Sequence, residues 1–167
     1  MKSFYLSIFA TVLLASCTAK TKTYHINAKS GTDTQGTAKL TQTGKTVELD
    51  LNVYKLNRNA LHAAHIHEFG DCSSADASSA GGHWNPTNEN HGKWGAGHHH
   101  AGDLGNLKTD ASGTARLVMS SNKWCLGCMD KSKNLIGKSI IIHAKADDFR
   151  TQPTGNAGGR VGCVEIK

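Results

Sequence analysis

Residues 62–103 read HAAHIHEFGDCSSADASSAGGHWNPTNENHGKWGAGHHHAGD, and this stretch holds eight of the ten histidines in the chain. His65 and His67 sit two apart. Alternate residues of a strand project to one side, so a His-x-His on a strand aims two imidazoles at one point. Imidazole is a natural ligand for zinc and copper, and a carboxylate can complete a harder site. His83, His91, His100 and Asp103 follow in a Gly- and Asn-rich segment that reads as a loop. A loop of that length is uncommon in a small domain unless something such as a metal holds it. One His-x-His alone would read as solvated surface histidines, and residues 98–100 alone as a His-rich tract that binds metal loosely. The further candidate ligands around them favour a built metal site.

Outward from this stretch the pattern is β on both sides. Tyr24, Ile26 and Ala28 alternate, as do Val47, Leu49, Leu51 and Val53, which is the signature of half-buried strands. Gly31, Gly36 and Gly44 read as turn positions between the runs. Downstream, Ala115, Leu117 and Met119 alternate after an Asp110-Ala111-Ser112-Gly113 turn. Ile140 to His143 forms a short apolar run after Gly137, and Val161 to Ile166 a final strand. There is no helical stripe, no repeat and no domain boundary. Short strands with Gly-rich turns predict an all-β sandwich or barrel.

The C-terminal third carries the remaining chemistry. His143 ends an apolar strand and Asp147 follows four residues later. Taken singly, His143 reads as a core histidine with a satisfied hydrogen bond. Residues 155–160, Gly-Asn-Ala-Gly-Gly-Arg, form a flexible loop ending in Arg160, which taken singly reads as half of an ion pair.

The chain begins with an address. An apolar run from Phe4 to Ala15 follows Met1 and Lys2 and is too short for a permanent membrane span. It ends in Leu14-Ala15-Ser16-Cys17, which resembles a bacterial lipobox. Residues 1–16 are thus expected to be a lipoprotein-type signal peptide, and residues 17–21 a tether acylated at Cys17. Residues 22–167 then form one domain. An ordinary secretory signal is the second reading, and either one exports the protein. Acylation would anchor it to a membrane of the bacterial envelope, facing the periplasm. Net charge is +6, with scattered lysines and neither a basic helix nor an aromatic platform, which argues against nucleic acid. A moderate positive excess suits a small anion or anionic lipid, and equally a surface selected for solubility.

Five motifs in order resemble the copper,zinc superoxide dismutases, in their bacterial exported branch. They are His65-Ile66-His67-Glu68-Phe69-Gly70-Asp71, Gly82-His83-Trp84-Asn85-Pro86, His100-Ala101-Gly102-Asp103-Leu104-Gly105, Ile142-His143-Ala144-Lys145-Ala146-Asp147-Asp148 and Gly155-Asn156-Ala157-Gly158-Gly159-Arg160. The resemblance runs from about residue 22 to the end and implies a Greek-key β-barrel or sandwich of about eight antiparallel strands with long metal-binding loops. It implies one copper and one zinc per chain. His65, His67, His83 and His143 would hold copper; His83, His91, His100 and Asp103 would hold zinc, with His83 shared. Asp147 would tie a copper histidine to a zinc histidine. Arg160 would stand beside the open copper face, where a planar guanidinium suits superoxide. The implied activity converts superoxide to oxygen and hydrogen peroxide as copper alternates between its two oxidation states. In that cycle His83 would leave copper and take up a proton. The resemblance also pairs Cys72 with Cys163 in a disulfide, which export permits.

Three features depart from the family pattern. Cys125 and Cys128 are extra; a second, local disulfide is the first expectation, with a surface metal site, a redox pair or copper acquisition as alternatives. Residues 149–154 form a short loop in which Arg150 is the sole charge, so steering must rest on Arg160 and nearby lysines. His98 and His99 crowd His100, which is preferred for its offset of three from Asp103, while a slip to His99 stays open. His25 and His62 belong to no motif. The rival reading is a non-catalytic copper/zinc-binding or copper-delivery protein on the same fold. Relatives of that kind tend to lack a copper ligand or the arginine, and both are present here. The surface that would decide oligomeric state is not readable from the sequence; a homodimer is compatible with it.

Overall fold

Strict alternation builds the centre of the barrel. The computed structural model describes residues 19–167; the signal segment and Cys17 lie outside the described residues. Strand β2 (Gln35–Thr43) pairs antiparallel with β3 (Thr46–Tyr54), placing Ala38 opposite Leu51 and Leu40 opposite Leu49. These four, with Val47 and Val53, are fully buried, because period-two apolar residues all face one side of a pleated ribbon. β6 (Ala115–Ser121) pairs with the other edge of β3.

β1 (Lys20–Ala28) serves two neighbours. Its first part pairs with β2, while Asn27 and Ala28 pair with Cys163 and Gly162 of β8 (Arg160–Glu165). The expected alternation therefore holds through Ile26 and fails at Ala28, which is exposed at the crossover. β8 continues the sheet to β7 (Ser139–His143), β4 (Leu61–His67) and β5 (Asp103–Lys108), giving the order β5-β4-β7-β8-β1-β2-β3-β6. Among the described residues, all eight strands run antiparallel to their neighbours in a nearly closed barrel with Greek-key connections. The expected all-β architecture is the observed one.

Two sequence readings are corrected. Gly36 is not a turn residue but lies inside β2, where a Cβ would fall 2.1 Å from Asn52 O; close approach, not chain reversal, requires glycine there. Asp103 is not in a loop but is the first residue of β5, paired with His65 across a bulge. That pairing brings the end of the His-rich loop onto the His-x-His strand.

Candidate metal centre

β4 carries His65 and His67 on one face. β7 runs antiparallel beside it and delivers His143 at its end, and an isolated bridge pairs His67 with His83. Ring centroids lie 3.9 Å apart for His65–His83, 4.8 Å for His65–His143 and 5.1 Å for His67–His83. Each of the four rings offers a nitrogen within 4.8 Å of the others.

Backbone and carboxylate partners decide which nitrogen that is. His65 Nε2 donates to Asp147 Oδ2 at 2.9 Å, His67 Nδ1 to Gly81 O at 3.0 Å, and His143 Nδ1 to Gly158 O at 3.4 Å. A neutral imidazole has one N–H and one lone pair, so the lone pairs fall on His65 Nδ1, His67 Nε2 and His143 Nε2. Those three atoms and His83 Nε2 are buried without a hydrogen-bond partner among the described residues. Orphaned buried nitrogens are costly unless something binds them. This cup fits a nitrogen-loving transition metal.

The second cluster shares His83. Asp103 Oδ2 accepts the backbone N–H groups of Gly92 (3.1 Å) and His100 (2.8 Å). That leaves Oδ1 facing His83 Nδ1 at 3.0 Å, His91 Nδ1 at 3.0 Å and His100 Nδ1 at 3.3 Å. A tetrahedral ion about 2.0–2.1 Å from each donor sets donors about 3.3–3.4 Å apart, close to these separations. The donor set, three imidazoles and a carboxylate, suits zinc. Of the three consecutive histidines only His100 joins it: His99 donates from Nδ1 to His100 O and packs at a tilt against Trp94, and His98 turns outward to Glu89.

Asp147 spans both clusters, because its other oxygen accepts His91 Nε2 at 2.9 Å. It is fixed in turn by Asn106, which bonds its N–H and its C=O at 2.7 and 2.9 Å. Gly155 has φ of +64°, and a Cβ there would lie 1.9 Å from Asp147 Oδ1, so glycine is needed to admit the carboxylate. Arg160 donates Nη1 to Ala77 O at 2.6 Å and Nη2 to Gly81 O at 2.7 Å. Gly81 O thus serves both Arg160 and His67. Cys72 and Cys163 form a disulfide that pins this segment to β8, and Cys125 is bonded to Cys128.

The sequence reading left out two contributors. His62, buried, donates Nδ1 to His143 O at 2.8 Å, supporting the strand end from inside the barrel. Asn106 clamps Asp147. Neither has a local signal, since each partner lies far along the chain.

Burial, helped by the neighbouring rings of His65 and His91 and opposed by Asp103, pulls His83 down to about 4 from 6.5. Burial and the nearby His83 pull His67 to about 2. Burial also acts to lower His91, yet its bonds to Asp103 and Asp147 outweigh it and raise the ring to about 9. Both carboxylates lie well below the ordinary range, because the histidine bonds overcome the burial that would raise them. Linkage gives opposite signs for the two kinds of ring. His83 and His67 contribute stability that is fully present above pH 6.5 and is lost as pH falls from there, through about 4 for His83 and about 2 for His67. His91 contributes stability below 6.5 that is lost as pH rises through about 9. The metal-free protein should therefore be most stable near pH 6.5. A urea midpoint that stays level from acid to alkaline pH would contradict this.

A sequence profile of the copper/zinc superoxide dismutases matches residues 34–166. The chain belongs to this family. The copper-zinc superoxide dismutase 1 of Aquifex aeolicus (strain VF5) is 38% identical over 135 residues, covering 79% of each chain. The extracellular copper-zinc superoxide dismutase of Caenorhabditis elegans is 34% identical over 170 residues, covering 96% of this chain and 75% of that one. The crystal structure of a superoxide dismutase-like protein from Bacillus subtilis superposes with TM-score 0.76 at 31% identity, covering 87% of this chain and 97% of that chain. Copper and zinc are the metals of this copper/zinc superoxide dismutase fold, and its activity is the dismutation of superoxide. The rival expectation, a non-catalytic metal carrier, is not favoured.

Proposed function

We propose that His65 Nδ1, His67 Nε2, His83 Nε2 and His143 Nε2 hold copper, and that His83, His91 and His100, each through Nδ1, hold zinc with Asp103 Oδ1. The observation that carries this division is the set of buried ring nitrogens left without partners on one side of His83, with the oxygen-centred cluster on the other. Copper, when bound, supplies the one-electron couple that oxidises one superoxide to oxygen and reduces the next to hydrogen peroxide, while zinc is redox-silent.

The remaining work falls to the side chains. Both nitrogens of His83 face donor clusters rather than a hydrogen-bonding carbonyl. With the imidazolium pulled to about 4, the ring carries at most one proton at neutral pH. Nε2 is the atom that takes up and gives back that proton between the half-reactions. Asp147 accepts the Nε2 protons of His65 and His91, so that with the metals bound each Nδ1 would present its lone pair to its metal. Arg160 is half-buried and spends one N–H of each terminal nitrogen on a carbonyl. A guanidinium has five N–H donors, so the rest can receive a small anion.

Superoxide decay catalysed by the copper- and zinc-loaded chain tests the whole reading. Stoichiometric metals with negligible turnover would sink it. Arg160→Glu should slow turnover by about 10- to 100-fold and flatten its dependence on salt; unchanged rate and unchanged salt dependence would remove the steering role.

Export is part of the same proposal. The apolar leader, the Leu-Ala-Ser-Cys motif at residues 14–17 and two disulfides support an acylated protein of a bacterial envelope, facing the periplasm, and two nematode relatives are named extracellular. Mass spectrometry of the mature N-terminus tests it: a free Cys17, or cleavage elsewhere, would overturn the lipid anchor.

A further inference from the structure

Cys125 and Cys128 take no part in the centre described above. Their disulfide joins residues three apart, so it constrains the unfolded chain far less than the 91-residue separation closed by Cys72–Cys163. Its neighbour in sequence explains it better. Trp124 is fully buried, its Nε1–H donates to Ala101 O at 3.4 Å, and its ring packs on Trp94 with centroids 5.1 Å apart. Ala101 lies between His100 and Asp103, and Trp94 lies three residues after His91. Trp124 therefore touches both limbs of the loop that carries the second cluster. His99, packed at a tilt against Trp94 with centroids 4.9 Å apart, continues the contact to the residue before His100.

Trp124 is itself held through Cys125. The backbone of Cys125 bonds Lys133 O at 2.9 Å and Leu135 N at 3.0 Å. Its sulfur is tied to Cys128, and the next N–H, of Leu126, bonds Gln42 Oε1 at 2.7 Å. Cys128 is exposed while Cys72 and Cys163 are buried, so an external thiol meets the local disulfide first.

We propose that Trp124 is a positioning residue for the zinc loop and that the Cys125–Cys128 disulfide clamps it, so that reducing this disulfide loosens zinc without altering any ligand. The inference rests on the assignment of zinc to His83, His91, His100 and Asp103. The switch is a thiol–disulfide exchange with a dithiol reductant. Two electrons and two protons pass to Cys125 and Cys128, their S–S bond breaks, and the reductant leaves as its own disulfide.

The test uses the full-length mature chain. Zinc affinity is read by competition with a chromophoric chelator, and loop geometry by the visible spectrum of cobalt(II) placed in the zinc site. Cys125→Ser/Cys128→Ser breaks the clamp without creating thiols that would bind zinc themselves. It should weaken zinc by about tenfold and change the cobalt band, while the copper(II) absorption of the cup stays as in the parent. Trp124→Phe keeps an aromatic ring but not the N–H and should give a smaller loss than Trp124→Leu. Parental zinc affinity and cobalt spectrum in the serine variant would overturn the proposal. So would equal loss at both metals, which would make the role merely structural. Should the serine variant not fold, parental zinc affinity in Trp124→Phe and Trp124→Leu would overturn it instead. A parent chain that takes up no zinc would overturn the zinc assignment beneath it, a distinguishable result.

Discussion

His143→Ala is expected to abolish copper-dependent superoxide turnover while zinc stays bound. Losing a hydrogen-bonded partner of a metal ligand typically costs about 10- to 100-fold in affinity or activity, and losing the ligand itself should cost more. The alanine would remove one of the four orphaned nitrogens of the cup and open a cavity at the end of β7, where His143 is 3% exposed. The second cluster shares only His83 with the cup, so its donors remain in place. The measurement pairs superoxide decay with metal analysis of the same sample. Full copper content and undiminished turnover in the variant would show that His143 is not a ligand. Loss of both metals together would show that the two clusters are not separable as described.

Cys72→Ser should have the largest effect on stability. The bond spans a sequence separation of 91, and in the chain-entropy account cross-linking so long a loop stabilises the fold by about 4–5 kcal/mol. For a domain of this size that corresponds to a fall in Tm of roughly 10 °C or more. Cys163 is fully buried and packs with Ile141, Ala77 and Ala80, so the orphaned thiol would stay in an apolar pocket. Turnover should fall as well, because the freed segment carries Ala77 O and Gly81 O, the two acceptors that orient Arg160. Calorimetry of the metal-loaded variant measures the first effect, and superoxide decay below its transition the second. A Tm within about 2 °C of the parent would mean that the unfolded chain is already constrained there.

Much of this was legible in the chain, and the boundary of legibility has a physical origin. Alternation declared β3 and β6 because each keeps one face on the barrel interior. β1 broke its pattern at Ala28, where it changes partner from β2 to β8, and no local signal marks such a change. The motif residues could be matched because ligand chemistry restricts residue type as well as spacing. His62 could not, since its role is set by a hydrogen bond to a carbonyl 81 residues away. Gly36 has the look of a turn residue because glycine commonly serves a positive φ, whereas here it serves the approach of a neighbouring strand. Asp103 has the look of a loop residue because the Gly-rich residues before it hide the strand that it begins.

One oxygen in this structure ties together two tasks that a designer would prefer to tune apart. Gly81 O receives both the Arg160 guanidinium and the Nδ1 proton of His67. Gly81 has φ of +75°, and a Cβ there would meet the Phe69 ring at 2.7 Å. Any side chain at residue 81 would tilt that peptide plane and disturb the proposed anion capture by Arg160 and the orientation of the His67 ring in a single stroke. Variation that moves the arginine through this carbonyl is therefore pleiotropic, because the same oxygen also sets the His67 ring.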